Sequence, residues 1–248
     1  MDSTVKRRTR RGGRGSLSAP KSNSFRNASS LDEVKNRMEK LGIKLGYKKD
    51  NLDKFSLEQA NMILEALENS PIDVTDALEI TTIQRMKEQR RFPSDARYRP
   101  LQMNGVSLAD TIGYNYMKMK NLEKNKLERN KEGNVFFNTS TKAMIYHELG
   151  HRFGTKRGLD TSAEWNKIAS RWTAEQPYTS TAGRRSQGFS NDFTYKEAFA
   201  EGYAGYKTGN KKLPKYVADY FKKQTSRKVS YTEHKDAYGN KYKIFRVQ

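Results

Sequence analysis

Apolar residues recur at helical spacing in two separate stretches near the start of the chain. The stretch 31–41 follows a capping-box sequence that starts at Ser30, and Gly42 is expected to end it. The stretch 57–67 follows a similar start at Ser56 and stops before a Ser-Pro pair. Both stretches predict amphipathic helices that serve as scaffold.

A different pattern follows, with β-branched residues and turn signals. Residues 78–83 predict a strand, and residues 96–108 predict short strands that turn at Asn104-Gly105. Residues 135–138 form a short apolar run that predicts another strand. Residues 109–131 have apolar positions at helical spacing among many Lys and Asn, so a helix and a mobile insertion both remain open.

Helical spacing returns in the second half of the chain. Thr139 or Ser140 is expected to cap a helix that ends at Gly154. Thr161 or Ser162 is expected to cap the next helix, whose apolar face carries two tryptophans.

The last part of the chain contains signals for two more helices and a hairpin. Thr194 is expected to cap a helix over Tyr195–Lys207, which Gly209 stops, and Pro214 opens another helix. Alternating residues over 229–246 predict a C-terminal hairpin. The expected fold is α+β, mostly helical, with a small mixed sheet.

The helix predicted after residue 140 carries the sequence His147-Glu148-Leu149-Gly150-His151. Two imidazoles four residues apart lie on one face of a helix and can bind one Zn²⁺ at about 2.0–2.1 Å. Glu148 then points to the side of the metal, where it can take a proton from a metal-activated water. The alternative is a helix whose histidines only cap or pack. Histidine is scarce, with three in the chain and two in this motif, and that scarcity favours a metal site.

A catalytic zinc site needs a third protein ligand. The chain has no cysteine, so that ligand must be His, Asp or Glu. His234 lies in the predicted hairpin among charged residues. Glu197 and Glu201 are better candidates, because they lie four apart on one face of a predicted helix. One could bind the metal while the other holds a ligand histidine, and spacing alone does not choose between them. The alternative for this pair is a solvated acidic stripe.

The net charge is +20, from 48 Lys and Arg against 28 Asp and Glu. Such a surface favours phosphate, nucleic acid or acidic partners. Part of the charge lies in residues 1–30, whose Gly, Ser and Asn content predicts a disordered tail. This tail is a candidate segment for binding nucleic acid, an anionic surface or a packaging partner. Its clustered cations are Lys6, Arg7, Arg8, Arg10, Arg11 and Arg14.

No run of about eighteen apolar residues occurs, so no membrane span is expected. The basic N-terminus is not followed by an apolar segment, so no classical secretory signal is expected either. The lack of cysteine fits a reducing cytosol or a virus particle.

The two motifs, His147–His151 and Glu197-Ala-Phe-Ala-Glu201, together resemble the catalytic domain of anthrax toxin lethal factor and its relatives. Those relatives include phage-encoded head-associated proteins, and the resemblance covers roughly residues 50–225. It implies a zincin-like fold of the Glu-zincin type, with Glu197 as the third zinc ligand and Glu201 holding a ligand histidine. It also implies a protein or peptide substrate, phage structural proteins as partners, and location in a virion or the host cytoplasm.

The resemblance also concerns a tyrosine. The family carries one seven residues before the ligand glutamate, where it stabilises the oxyanion. In this chain Ser190 stands at that position. Tyr178 or Tyr195 could take the role, and Tyr178 is preferred, with an insertion after it.

These patterns divide the chain into a basic tail (1–30), a zincin-like metallopeptidase domain (31–225) and a C-terminal hairpin extension (226–248). The function expected first is a zinc metalloprotease with Glu148 as general base. A second expectation is a virion structural protein that keeps the zincin fold without activity. A third is a nucleic-acid-binding protein in which the motif is incidental.

Overall fold

The computed structural model describes residues 25–45, 52–82, 96–103, 106–115, 119, 121, 122, 124, 127, 137–175, 191–235, 239 and 241–248. The helices are α1 (Leu31–Lys40), α2 (Leu57–Glu68), α3 (Ile72–Thr75), α4 (Thr141–Arg157), α5 (Ala163–Glu175), α6 (Asn191–Thr208) and α7 (Lys215–Thr225). The strands are β1 (Lys44–Leu45), β2 (Leu78–Thr82), β3 (Ala96–Met103), β4 (Val106–Tyr114), β5 (Val229–Lys235) and β6 (Lys241–Val247). The described chain is therefore α+β, as predicted. None of its described helices has the length and apolar character to span a bilayer.

Four strands form one mixed sheet in the order β1-β2-β4-β3. The β1–β2 and β2–β4 pairs are parallel, and β3 runs antiparallel to β4, with Tyr98 opposite Ile112. The strands predicted on the two sides of Asn104-Gly105 are confirmed by the antiparallel pairing of Met103 with Val106, and the turn residues themselves lie outside the described residues. Strand β4 reaches Tyr114, so the start of the region left open between helix and insertion is strand instead.

The first two helices begin where their caps predicted. The Ser56 hydroxyl accepts the N–H of Gln59, whose side chain accepts the N–H of Ser56, so a complete capping box starts α2. The Ser30 hydroxyl caps α1 in the same way. The Glu33 carboxylate, however, accepts the N–H of Ser29 and not that of the cap residue.

Two of the six residues that precede α1, Phe25 and Ala28, pack against the core of the protein. Ala28 is buried, and its N–H and C=O both bond the side-chain amide of Asn61 on α2, at 2.7 and 3.0 Å. Arg26 pairs with Glu33. The disorder predicted for residues 1–30 therefore does not extend over 25–30, and the cations of the tail lie outside the described residues.

Helix α4 is longer than predicted. The Ser140 hydroxyl caps it, as one of the two expected residues, but the helix continues through Gly154 to Arg157. Gly158 ends it with φ 61°, a left-handed conformation that suits glycine. A Cβ on Gly154 would lie 2.8 Å from the Asp160 side chain, so this glycine permits close packing and does not stop the helix.

Two further expectations differ from the structure. Phe137 and Asn138 precede α4 as irregular chain, so these described residues of the predicted 135–138 strand are not strand. Helix α6 begins at Asn191, and Thr194, predicted as its cap, is fully buried inside it. The predictions for Ser162, Gly209 and Pro214 as helix boundaries are confirmed.

Helices α4 and α6 cross with their backbones nearly in contact. A Cβ built on Gly150 of α4 would lie 2.9 Å from the Cα of Ala200 on α6, which is closer than real atoms approach. Around this contact the core is aromatic: the rings of Trp165, Phe199 and Phe221 lie 5.0–5.5 Å apart. The close crossing brings the two sequence motifs face to face.

Two buried arginines on α4 fix that helix to its surroundings. Arg152, with no exposed area, pairs with Asp110 of β4 at 2.8 Å and donates to the C=O of Asp76. Arg157 makes a two-pronged pair with Asp73 of α3 at 2.7 and 2.8 Å. Because an unpaired buried charge is costly, these pairs hold the helix in one position against the sheet.

The C-terminal hairpin is confirmed as β5 and β6, an antiparallel pair separate from the main sheet. Tyr231 lies opposite Phe245 and packs against it, with ring centroids 5.8 Å apart. Lys243 ties the hairpin to the body through Asp76 at 2.8 Å.

Candidate metal site

His147 and His151 lie one turn apart on α4, and Glu197 faces them from α6. The Nε2 atoms of the two histidines are 3.2 Å apart. Oε2 of Glu197 is 3.4 Å from Nε2 of His147, and its Oε1 is 3.6 Å from Nε2 of His151. One ligand atom from each residue lies within 4.8 Å of the others, so the group could hold a metal ion.

The donor set and its spacing fit zinc. A tetrahedral site with bonds of 2.0–2.1 Å has donor atoms about 3.3–3.4 Å apart. The two Nε2 atoms are 3.2 Å apart, and the separations of 3.4 and 3.6 Å join them to different oxygens of Glu197, so the group reaches this spacing once one carboxylate oxygen turns toward both imidazoles. Two imidazoles and one carboxylate also leave a fourth coordination position open. A structural zinc site fills that position with a fourth protein ligand, whereas a catalytic site leaves it to water or substrate.

Glu201 lies one turn after Glu197 and contacts the back of the first histidine. Its Oε2 is 3.0 Å from Nδ1 of His147. Its Oε1 accepts the N–H of Asn138, whose side-chain amide in turn donates to the C=O of Glu201. A proton on Nδ1 is therefore held toward Glu201, which leaves Nε2 of His147 as the atom available to a metal.

The side-chain amide of Asn210 stabilises the contact between Asn138 and Glu201. Asn210, just after α6, donates to the side-chain oxygen of Asn138 and to the C=O of Phe137, both at 3.0 Å. The irregular chain before α4 is thus fastened to the middle of α6, through Glu201, and to the chain just after its end, through Asn210. No sequence signal pointed to Asn138 or Asn210, because each partner lies more than sixty residues away in the chain.

The two carboxylates also control the charge of His147. Burial lowers the pKa of this imidazole, but its hydrogen bonds to Glu197 and Glu201 outweigh burial and raise the pKa to about 10. Without a metal, His147 is therefore an imidazolium at neutral pH, shared between two carboxylates. A metal that binds its Nε2 must displace one proton.

Glu148 lies apart from the three clustered ligand atoms and is held by the sheet. Its Oε2 accepts the backbone N–H of Tyr98 at 2.6 Å. Tyr98 belongs to β3, which lies at one edge of the described sheet. The Tyr114 phenol, buried at the end of β4, has its pKa raised by burial and also by the nearby Glu148 carboxylate.

This contact with the Tyr98 N–H fixes the direction of the Glu148 carboxylate. Glu148 is 7% exposed as a residue, so it is largely shielded from solvent. Such a group can accept a proton from a water and return it elsewhere. Sequence reasoning singled out the glutamate but not the Tyr98 N–H, because a backbone donor leaves no mark in the sequence.

The remaining sequence candidates lie elsewhere. His234 is on the exposed β5 strand, with its Nε2 2.9 Å from the Thr232 hydroxyl, and is not part of this group. Tyr195 packs against the core, and its C=O accepts the Trp165 indole N–H. Tyr178 and Ser190 lie outside the described residues.

Comparison with known proteins does not identify a family for this chain. The chain matches no protein-family model, no curated protein and no solved structure.

Proposed function

We propose that the protein is a zinc-dependent metallopeptidase that cleaves peptide bonds with Glu148 as the general base. The observation that carries the proposal is the grouping of His147, His151 and Glu197, whose ligand atoms lie within 4.8 Å of one another and are of the types that a catalytic zinc site uses. Bound there, zinc would supply Lewis acidity, which makes water more acidic and polarises a carbonyl oxygen.

The residues of the chain then divide the work of hydrolysis. Glu148 takes a proton from the attacking water, and the water oxygen forms a bond to the peptide carbonyl carbon. The same carboxylate returns the proton to the amide nitrogen as the C–N bond breaks. The Tyr98 N–H keeps the carboxylate directed throughout, because it donates a hydrogen bond to Oε2.

The position of β3 suits an extended substrate. This strand lies at one edge of the described sheet, and its Tyr98 N–H already faces the site. A peptide lying along β3 would place its backbone beside Glu148. The resemblance to lethal factor supports a tyrosine as the residue that donates to the oxyanion, and we assign that role to Tyr178, with an insertion between it and the ligand glutamate.

The test combines metal content with hydrolysis. Purified protein should carry one zinc per chain by elemental analysis, and His147→Ala should carry none. The zinc-loaded protein should cleave a mixed library of unstructured peptides, and chelator should stop the cleavage. A wild-type protein without stoichiometric zinc under metal-replete conditions refutes the proposal.

A second candidate is a protein that holds zinc without hydrolysis, as a structural or nucleic-acid-binding component of a virion. The observation that favours it is Ser190, which stands where the related family carries its oxyanion tyrosine, together with the net charge of +20. Stoichiometric zinc with no cleavage of any library peptide would select this candidate over the peptidase.

A further inference from the structure

The hydrogen bonds that orient His147 continue beyond Glu201 to the end of α6. Glu201 accepts the N–H of Asn138 at 3.0 Å, and the side-chain oxygen of Asn138 accepts the side-chain amide of Asn210 at 3.0 Å. Asn210 is therefore joined to the imidazole of His147 by three successive hydrogen bonds.

Two backbone carbonyls fix the direction of these hydrogen bonds. Nδ2 of Asn138 donates to the C=O of Glu201 at 3.0 Å, and a carbonyl oxygen can only accept. The Oδ1 of Asn138 must then face Asn210, whose Nδ2 also donates to the C=O of Phe137 at 3.0 Å. Each amide thus has one orientation, and the donors point from Asn210 toward the Glu201 carboxylate.

The Glu201 carboxylate receives a donor on each of its oxygens. Its Oε1 accepts the N–H of Asn138, and its Oε2 lies 3.0 Å from Nδ1 of His147. Because the Asn138 N–H holds Oε1, the carboxylate does not rotate away from Nδ1. This keeps Nε2 of His147 directed to the position of the metal. Loss of the Asn138 contact would loosen the carboxylate and the imidazole together.

Packing alone brings residues 137 and 138 close to α6. A Cβ on Gly205 would lie 2.9 Å from Cε1 of Phe137 and 3.7 Å from Oδ1 of Asn138, so the lack of a side chain lets the segment approach. The Phe137 ring also meets Trp172 edge-on, with ring centroids 5.2 Å apart. These contacts place the segment, but they do not determine which way the Asn138 amide faces.

The alternative role for Asn210 is to close the turn after α6. Its N–H bonds the C=O of Gly205 at 2.9 Å, and its Oδ1 accepts the N–H of Lys212 at 2.9 Å. The turn therefore uses the backbone and Oδ1 of Asn210, whereas both hydrogen bonds of Nδ2 go to residues 137 and 138. A residue that served only the turn would not need the amide nitrogen.

We propose that Asn210 is a positioning residue for the metal site, which acts on His147 through Asn138 and Glu201. The inference rests on the metal site of the proposed function but not on peptide hydrolysis. It assigns to the turn after α6 a part in setting the affinity for zinc.

The experiment measures zinc affinity of the full chain by competition with a chelating indicator. Asn210→Asp keeps the size of the side chain and the oxygen that accepts the Lys212 N–H, but it replaces the donor Nδ2 with an acceptor. The control, Asn69→Asp, makes the same change at the end of α2, where Nδ2 of Asn69 donates to the C=O of Glu65 at 2.9 Å. Asn210→Ala, which adds no charge, is measured in parallel.

Both Asn210 variants should bind zinc about 10-fold more weakly than wild type, the lower end of the usual effect of losing a group that orients a ligand. Asn69→Asp should keep the wild-type affinity. In an Asn138→Ala background, Asn210→Asp should cause little further loss, because the two residues act through the same hydrogen bonds. Thermal unfolding should report a loss of stability in both Asp variants, so stability alone does not produce this pattern.

Three results with zinc-binding wild type would overturn this inference alone. They are an unchanged affinity in both Asn210 variants, an equal loss in Asn69→Asp, and a loss from Asn210→Asp that is the same with and without the Asn138 side chain. The last result would confine Asn210 to the turn. A wild-type chain that binds no zinc would overturn the metal site and this inference together.

Discussion

Nδ1 of His147 lies 3.0 Å from Oε2 of Glu201, while the other oxygen of that carboxylate accepts the N–H of Asn138. Both oxygens of Glu201 are therefore engaged away from the centre of the site. Glu197 differs, because its two oxygens face Nε2 of His147 and Nε2 of His151. The sequence spacing does not distinguish the two glutamates, but the structure places them for different tasks.

Replacement of the two glutamates should separate those tasks. Glu197→Ala should empty the site at a modest chelator concentration, because it removes a direct ligand. Glu201→Ala should keep zinc with affinity lowered about 10–100-fold, the usual effect of losing a group that orients a ligand. Zinc content is measured during chelator titration, with equal folding checked by circular dichroism. If Glu201→Ala lost zinc at a lower chelator concentration than Glu197→Ala, then Glu201 would be the direct ligand and Glu197 the residue that orients His147.

Glu148→Gln should retain zinc and lose hydrolysis. The amide can still accept the Tyr98 N–H but cannot take a proton from water. The rate of peptide cleavage should fall by about 10²–10⁴-fold, the usual contribution of general acid–base catalysis. An undiminished rate in a variant with verified zinc would remove Glu148 from the mechanism.

Zinc uptake should release a proton from His147. The carboxylates raise the pKa of this imidazole to about 10, so it is charged at pH 7.5 and must be neutral to bind. The apparent affinity should therefore rise with pH up to about 10 and fall as the pH is lowered. Calorimetry at pH 7.5 in buffers of different ionisation enthalpy measures the proton count. No difference between the buffers would mean that His147 is already neutral.

Gly150→Ala should weaken both the fold and the metal site. The new methyl group would lie 2.9 Å from the backbone of Ala200, so α4 and α6 must separate, at a cost of about 1–3 kcal/mol. Gly209→Ala is the control, because it meets no neighbouring atom and strains only a positive φ of 65°. Urea unfolding should report a loss in both variants, whereas zinc affinity should fall only in Gly150→Ala.

Deletion of residues 1–24 should weaken binding of duplex DNA and flatten its salt dependence, because it removes the six clustered cations of the tail. The deletion stops at residue 24 because Ala28 is hydrogen-bonded to Asn61. If the salt dependence of binding did not change, the phosphate contacts would come entirely from residues after position 24.

Local signals predicted the helices and hairpins, since caps at Ser56 and Ser140 act within one turn. The motif pairs were also visible, because helical spacing fixes which side chains share a face. Failures occurred where a long-range contact overrode a local signal. Gly154 was predicted to end the helix, but its lack of a side chain makes room for Asp160. The hydrogen bonds from Tyr98 to Glu148 and from Asn138 to Glu201 join residues 50 and 63 positions apart in the chain.

The contact between Gly150 and Ala200 also bears on how such a site can diversify. Because α4 and α6 touch directly, the spacing of the ligands does not depend on the length of residues 176–190, the segment that leads into α6. Insertions and deletions there can accumulate without dismantling the metal-holding half of the molecule.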